Sequence, residues 1–565
     1  MHPIRADRGR RPGQGTPPPR WRTALGALGA LALATTAACS TTSGSASGTA
    51  TTSSAGTAYH RPACHPTPPA TPVRAVPVTG VPSAWTVTSF DGTQLRAYWF
   101  PATPGGSPKA PTVLMGPGWG ETADTSLTSA ALFGGLTIGQ LNRAGFNVLT
   151  WDPRGFPPST GTAELDSAAY EARDVEQLIN WVATLPGVAL NGPDNPAVGM
   201  VGASYGGGIQ FTAAAVDCRI DAIVPTIAWH SLATSLYKAD TIKAGWAGLL
   251  VEAGARMHLD PHIVAADNAI GSGTLSPAEV NWFTDAGPGA LVSKITAPTL
   301  IIQGTVDNLF TLDEGVANYQ ALRSRGVPTH MIWFCGGHGA CLTPPGDQQV
   351  ITTDTIAWLD RYLKGQPGVD TGPTFQFVDQ NGASYQAAGY PVPTASPLTA
   401  TGHGTLALTA AGGSGPAHVP AGVTDPLAGF AAPVTPAEAS NAVDVPITTG
   451  SRSALVVGSP DLTITYRGTV PPGAAPERVF AQVVDDATGM VLGNQITPID
   501  VTLDGTTHTT TVPLEIVVAA LHPGARLTLQ LVATTVAYAR PRLGGSITFS
   551  SVHVSLPVAS GIAPR

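Results

Sequence analysis

Gly202-Ala203-Ser204-Tyr205-Gly206 follows the apolar run Val198-Gly199-Met200-Val201 and opens a small-residue stretch, Gly207 to Ala215, of helical character. The order is strand, sharp turn bearing a serine, then helix. A serine on so tight a turn is held out at the carboxyl edge of a sheet, and glycines flank it because side chains would clash there. A bare G-x-S-x-G carries little weight in a chain with 65 glycines. The strand before it and the helix after it make Ser204 the expected nucleophile of a serine hydrolase.

The pattern around this turn supports an α/β sheet. Trp85 to Phe90 and Gln94 to Phe100, joined at Asp91-Gly92, read as an antiparallel hairpin. Apolar strands then alternate with helix-like stretches: Thr112–Met115, Phe146–Thr150, Val198–Val201, Ala222–Val224, Thr299–Ile302 and Met331–Phe334. Ser167–Thr184, Leu312–Ser324 and Thr352–Leu363 carry the helical periodicity. Such alternation predicts a parallel sheet covered on both faces. Between Trp229 and Pro288 it lapses, and Tyr237, Trp246 and Trp282 with Leu and Ala at helical spacing predict a helical lid over the carboxyl end of the sheet, at about 230–290.

Acyl transfer needs a nucleophile, a base, an acid to orient the base, and donors for the oxyanion. In this arrangement the order along the chain is Ser, Asp or Glu, then His, each on a loop after a later strand. Asp307, in Gln303-Gly-Thr-Val-Asp307-Asn-Leu-Phe310, follows the strand at 299–302 and is the expected acid. His338 follows the strand at 331–334 in a loop of glycines and is the expected base, whereas His330 begins that strand at the wrong end. The backbone N–H of Tyr205 is one expected oxyanion donor, and that of Trp119, in Gly116-Pro-Gly-Trp119-Gly120, the other.

The first residues read as an export signal. Six arginines between positions 5 and 22 precede an uncharged Ala/Leu run, Thr23 to Ala38, too short for a membrane span. Thr36-Ala37-Ala38-Cys39 resembles a bacterial lipobox, which makes Cys39 an expected lipidation site, and residues 40–75 a Ser/Thr/Gly/Pro-rich tether. The expectation is a cell-envelope protein, held to the outer face of the membrane by that lipid or else secreted. Of the remaining cysteines, Cys335 and Cys341 bracket Gly336 to Ala340, so a small disulfide-closed loop around His338 is expected, with Cys64 and Cys218 left over. No C-x-x-C or H-E-x-x-H occurs, and neither a metal nor a cofactor is expected. A net charge of −8 with only 12% charged residues and no basic stripe gives no support to nucleic-acid binding.

Past Lys364 the composition changes. Every lysine and all 11 tryptophans lie at or before that residue. The remainder is rich in Val, Thr, Gly and Pro, with alternating runs at 406–409, 461–466, 478–484 and 526–532. This predicts a separate all-β sandwich over 366–565 after a hydrolase domain at 76–365.

Gly202 to Gln210, with Asp152-Pro-Arg-Gly155 and Ser159-x-Gly161 upstream, resembles the X-prolyl dipeptidyl-peptidase and cocaine-esterase group of α/β-hydrolases. Leu455 to Ile464 and Leu521 to Leu531 are similar to that group's C-terminal jelly roll. The resemblance implies Ser204 as nucleophile, Asp307 as acid and His338 as base, acting on a small peptide or ester. Two departures stand out. The group often places a Tyr after Pro as an oxyanion donor, where this chain has Pro117-Gly118-Trp119. Its histidine often sits in a Trp-x-His context, where this chain has Cys335-Gly-Gly-His338-Gly-Ala-Cys341. An X-Pro dipeptidase must also hold a free amine, for which Asp240, Glu252, Asp260 and Glu279 in the lid are available. A non-catalytic cell-surface binding protein on a hydrolase scaffold is the alternative reading.

Overall fold

Strands of Val, Ile, Leu and Met buried on both sides form the middle of an 11-stranded sheet. The computed structural model describes residues 59–565 apart from 60, 67–71, 103–107, 130–132, 340, 342, 412 and 415–440. The expected export signal, Cys39 and the expected tether through residue 58 lie outside the described residues.

The strands are β1 Ala75–Pro77, β2 Ala84–Thr88, β3 Gln94–Phe100, β4 Thr112–Gly116 and β5 Asn147–Asp152, a small outlying hairpin of β6 Leu190–Gly192 and β7 Asn195–Pro196, then β8 Val198–Ala203, β9 Ile220–Thr226, β10 Thr299–Gly304, β11 Thr329–Phe334, β12 Phe375–Val378 and β13 Ser384–Ala387. Their order in the large sheet is β1-β2-β3-β5-β4-β8-β9-β10-β11-β12-β13. From β5 to β12 neighbours run parallel; the hairpin β2–β3 and the last strand, β13, are antiparallel additions at the two edges. The sheet is therefore mixed, where the strand–helix alternation alone predicts a parallel one. It also continues beyond Lys364, because the short strands β12 and β13 carry Phe375, Phe377 and Tyr385 into its core.

Side chains alternate between the two faces, as the two-residue period of a strand requires. Leu114, Leu149, Met200, Ile223, Ile301 and Met331 share one core with helices α2 (Glu171–Val182), α3 (Tyr205–Val216) and α8 (Leu312–Ser324). Val113, Val148, Val201, Val224, Ile302 and Ile332 share the other with α1 (Ile138–Arg143) and α9 (Gln349–Tyr362). Helix α2 begins at Glu171 rather than Ser167, because the Glu171 carboxylate folds back to accept the N–H groups of Glu164 and Ser167.

The lapse in alternation is a helical insertion: α4 (Leu232–Leu236), α5 (Ala244–Ala253), α6 (Pro261–Asn268) and α7 (Pro277–Asp285). Its Trp246, Leu249, Ile263 and Phe283 pack with Phe156, Tyr205, Trp229 and Phe310 from loops at the carboxyl end of the sheet.

Two antiparallel sheets make the C-terminal part. Their strands are β14 Thr394–Ala407, β15 Ala442–Thr448, β16 Ala454–Gly458, β17 Asp461–Thr469, β18 Arg478–Asp485, β19 Met490–Val491, β20 Thr497–Asp500, β21 Asp504–Pro513, β22 Val517–Leu521, β23 Arg526–Val532 and β24 Ser546–Ala559. One sheet has the order β21-β17-β24-β16-β22 with β14 added on β24; the other has β15-β23-β18-β19 with β20 on β18. Residues such as Leu462, Ile464, Val552 and Val554 of the first meet Val443, Val445, Leu527 and Leu529 of the second in one core. The strict alternation along Asp461–Thr469 is what a sandwich strand with one wet face requires.

Candidate active site

Ser204 sits between the end of β8 and the start of α3 with φ 55° and ψ −118°. A side chain other than glycine pays about 1–3 kcal/mol for such a backbone, so the surroundings must impose it. They do so through close packing of main chain. A Cβ on Gly202 would lie 2.4 Å from the Gly206 carbonyl oxygen, and one on Gly206 2.3 Å from that of Gly116. The glycines on either side of the serine are thus required by contact. The Ser204 N–H donates to the Thr226 carbonyl, and its own carbonyl accepts from Gly207 and Gly208.

The expected partners arrive from the ends of the next strands. His338 Nε2 lies 2.9 Å from Ser204 Oγ, and His338 Nδ1 lies 2.8 Å from Asp307 Oδ2. Ionised Asp307 only accepts, so Nδ1 carries the ring proton and the Nε2 lone pair faces the serine hydroxyl. Asp307 is fully buried, and its other oxygen accepts the N–H groups of Leu309 at 3.0 Å and Phe310 at 2.9 Å. The glycines around His338 again serve close approach: a Cβ on Gly337 would lie 2.5 Å from Asp307 Cβ. Cys335 and Cys341 are joined, closing this loop, and Cys64 is joined to Cys218.

Aromatic rings wall the site. Phe310 and Trp246 each meet the His338 ring edge-on, with centroids 5.1 and 5.7 Å away. The Trp119 ring lies against Tyr205 and Phe156, and its Nε1–H donates to the Leu250 carbonyl of the helical insertion. The loop after β4 is therefore beside the turn that carries Ser204. Tyr205, as first residue of α3, has an N–H with no intrahelical acceptor.

Several residues escaped the sequence reading. Arg154, of the Asp152-Pro-Arg motif, donates through Nε and Nη2 to both oxygens of Asp174 at 2.7 Å and through Nη1 to Asp91. It ties the loop after β5 to α2 and to the hairpin, a structural role. Lys243, buried at the start of α5, donates to the Leu309 carbonyl at 3.0 Å, and burial lowers its pKa to about 8. Behind Tyr205 lie Asp166 and Glu171. Burial pushes Glu171 up to about 8, and burial with the neighbouring Glu171 charge pushes Asp166 well above the carboxylate range. Their signal was hidden because only the fold places them under the serine turn. Of the lid acids, Asp260 is spent capping α6, and Glu279 faces His262 at 3.4 Å.

Among the described residues, no group of three or more His, Cys, Asp or Glu could hold a metal ion, and no helix is long and apolar enough to cross a membrane.

Residues 91–340 match the family model of X-Pro dipeptidyl-peptidase (S15 family). An uncharacterised 31.7 kDa protein of Escherichia coli is 37% identical over 86 residues, a match covering 15% of this chain and 28% of that protein, so the chain spans little more than a quarter of that curated relative. Two solved structures superpose over 86% of this chain and 96% of their own, each with a TM-score of 0.59. They are a CocE/NonD family hydrolase from Staphylococcus aureus, 14% identical, and an alpha-amino acid ester hydrolase, 12% identical. At those identities the likeness is one of fold. Through residues 91–340 this chain is similar to the X-Pro dipeptidyl-peptidases of the S15 family, and its fold is that of an α/β-hydrolase with a helical insertion and a C-terminal β-sandwich.

Proposed function

We propose that this protein is an exported serine hydrolase that cleaves an ester or peptide bond through an acyl-enzyme on Ser204. The observation that carries this reading is the continuous run of contacts from Ser204 Oγ through His338 to buried Asp307. In the first step Ser204 Oγ attacks the substrate carbonyl carbon while His338 Nε2 takes the hydroxyl proton. Asp307 stabilises the imidazolium that results. The tetrahedral oxyanion takes N–H donors from Tyr205 and Trp119. Collapse of the intermediate expels the alcohol or amine, which receives the proton from His338, and water then repeats the sequence to release the acid.

The aromatic walls of Trp119, Trp246 and Phe310 favour an uncharged acyl group. Gly118, standing where the family often has Tyr, supports an ester over an X-Pro dipeptide; of the four lid acids, Asp260 and Glu279 are engaged within the lid, which leaves Asp240 and Glu252 for a free amine. The lipobox at Cys39 and the tether after it support attachment at the outer face of the bacterial membrane.

Turnover of short-chain nitrophenyl esters and of Ala-Pro-anilide tests the reading. Ester hydrolysis by the intact protein that disappears in Ser204→Ala is the expected result. A rate unchanged by that substitution would remove Ser204 from the reaction.

A further inference from the structure

We propose that the C-terminal β-sandwich is a working part of the catalytic site, with Gln495 as the residue that positions Asp307. This rests on the reading of Asp307 as the acid of the triad.

The Asp307 carboxylate is well held: Oδ2 by His338, Oδ1 by the N–H groups of Leu309 and Phe310. Because two of those bonds come from the acid's own loop, they fix the carboxylate only as well as that backbone is fixed. The backbone is held partly from another domain. Gln495 Nε2 donates to the Asp307 carbonyl oxygen at 2.8 Å, across 188 residues of sequence. A carbonyl can only accept, so the amide must present its NH2 end. Gln495 is 5% exposed, and a buried carbonyl deprived of its donor carries the full cost of desolvation.

The turn that delivers Gln495 is shaped for this approach. Leu492–Asn494 is a short helical turn between β19 (Met490–Val491) and β20 (Thr497–Asp500), with Gly493 at φ 60°. A Cβ on Gly493 would stand 3.0 Å from the Thr305 carbonyl oxygen, two residues before the acid. The Gln495 N–H closes back on the Leu492 carbonyl, which sets the side chain's direction.

A second contact from the sandwich reaches the first turn of α8, which follows the same loop. The Ile516 N–H donates to Asp313 Oδ2 at 3.3 Å, and Glu515 beside it binds Lys238 at 2.6 Å. From the lid, Lys243 holds the Leu309 carbonyl. The segment from Asp307 to Asp313 is thus clamped at both ends by the sandwich and in its middle by the lid.

The test uses the full chain. Gln495→Met keeps length and apolar volume but removes the donor. We expect kcat for a nitrophenyl ester, per folded molecule by circular dichroism, to fall about ten- to a hundredfold, the range for a catalytic group displaced by a fraction of an ångström to 1 Å. KM is expected to change by less than about twofold, since no substrate contact is lost. In an Asp307→Ala background the same substitution is expected to change kcat by less than about twofold, because the group it positions is gone. A structural role alone would lower both backgrounds alike, which would overturn the proposal, as would an unchanged kcat in Gln495→Met. If Gln495→Met does not fold, Gly493→Ala, which pushes the turn off Thr305, is held to the same criteria. If neither folds, Gln495 is a folding determinant and the positioning role is rejected. A wild-type protein that does not hydrolyse esters, or one whose activity survives His338→Ala, overturns the triad reading itself. Wild-type turnover with Gln495→Met unaffected overturns only the role of the sandwich.

Discussion

His338 Nδ1 and Asp307 Oδ2 stand 2.8 Å apart, with the imidazole partly exposed and the carboxylate fully buried. The pairing holds the ring in the tautomer that leaves Nε2 free for the serine. Asp307→Asn keeps the shape but presents an amide that can donate to Nδ1 and stabilise the wrong tautomer. We expect kcat for ester hydrolysis to fall about 10⁴-fold at neutral pH. Steady-state kinetics of the purified variant, with KM little changed, would check this; a loss under tenfold would contradict it.

Asp166 gives a pH signature. It is 0% exposed, and its folded pKa is raised by burial and then by Glu171. An acid whose folded value exceeds its unfolded value near 4 contributes stability fully present below that value and lost as pH rises through the folded one. Asp166→Asn removes the proton exchange, and Asn tolerates the left-handed backbone at this position (φ 59°). Denaturant unfolding at pH 4 and at pH 8.5 is expected to show the wild type losing ground to the variant at the higher pH, with up to about 1.4 kcal/mol per pH unit removed from the slope. Parallel pH profiles would contradict it.

The disulfide between Cys335 and Cys341 encloses the loop that carries His338. Replacing both cysteines with serine frees this small loop, and the chain-entropy account puts the loss of stability at about 2 kcal/mol. Because the ring must stay within contact of Ser204, kcat is expected to fall by about tenfold or more while KM moves little. Equal kcat in the double variant would show that the glycine packing against Asp307 suffices alone.

Much of the hydrolase half was legible because its signals are local. Val198–Val201 is apolar on every position and must be buried on both faces; Ser204 follows it directly, and Asp307 and His338 each fall just past a later strand of the same kind. The edge strands were less legible. Phe375–Val378 and Ser384–Ala387 are short, lie past the change in composition at Lys364, and join the first sheet only through non-local pairing. Gln495 and Lys243 could not be read at all. A buried glutamine or lysine in a list of letters looks like a surface residue, and only the folded chain brings each beside the acid loop. Asp166 and Glu171 were hidden for the same reason.

The most direct measurement is the mass of the protein after exposure to a fluorophosphonate, followed by peptide mapping. One adduct per chain, located on Ser204 and lost in Ser204→Ala, with labelling greatly slowed in His338→Ala, is the expected result. An unlabelled native protein, or an adduct on another serine that persists in Ser204→Ala, would contradict the assignment of Ser204 as the nucleophile.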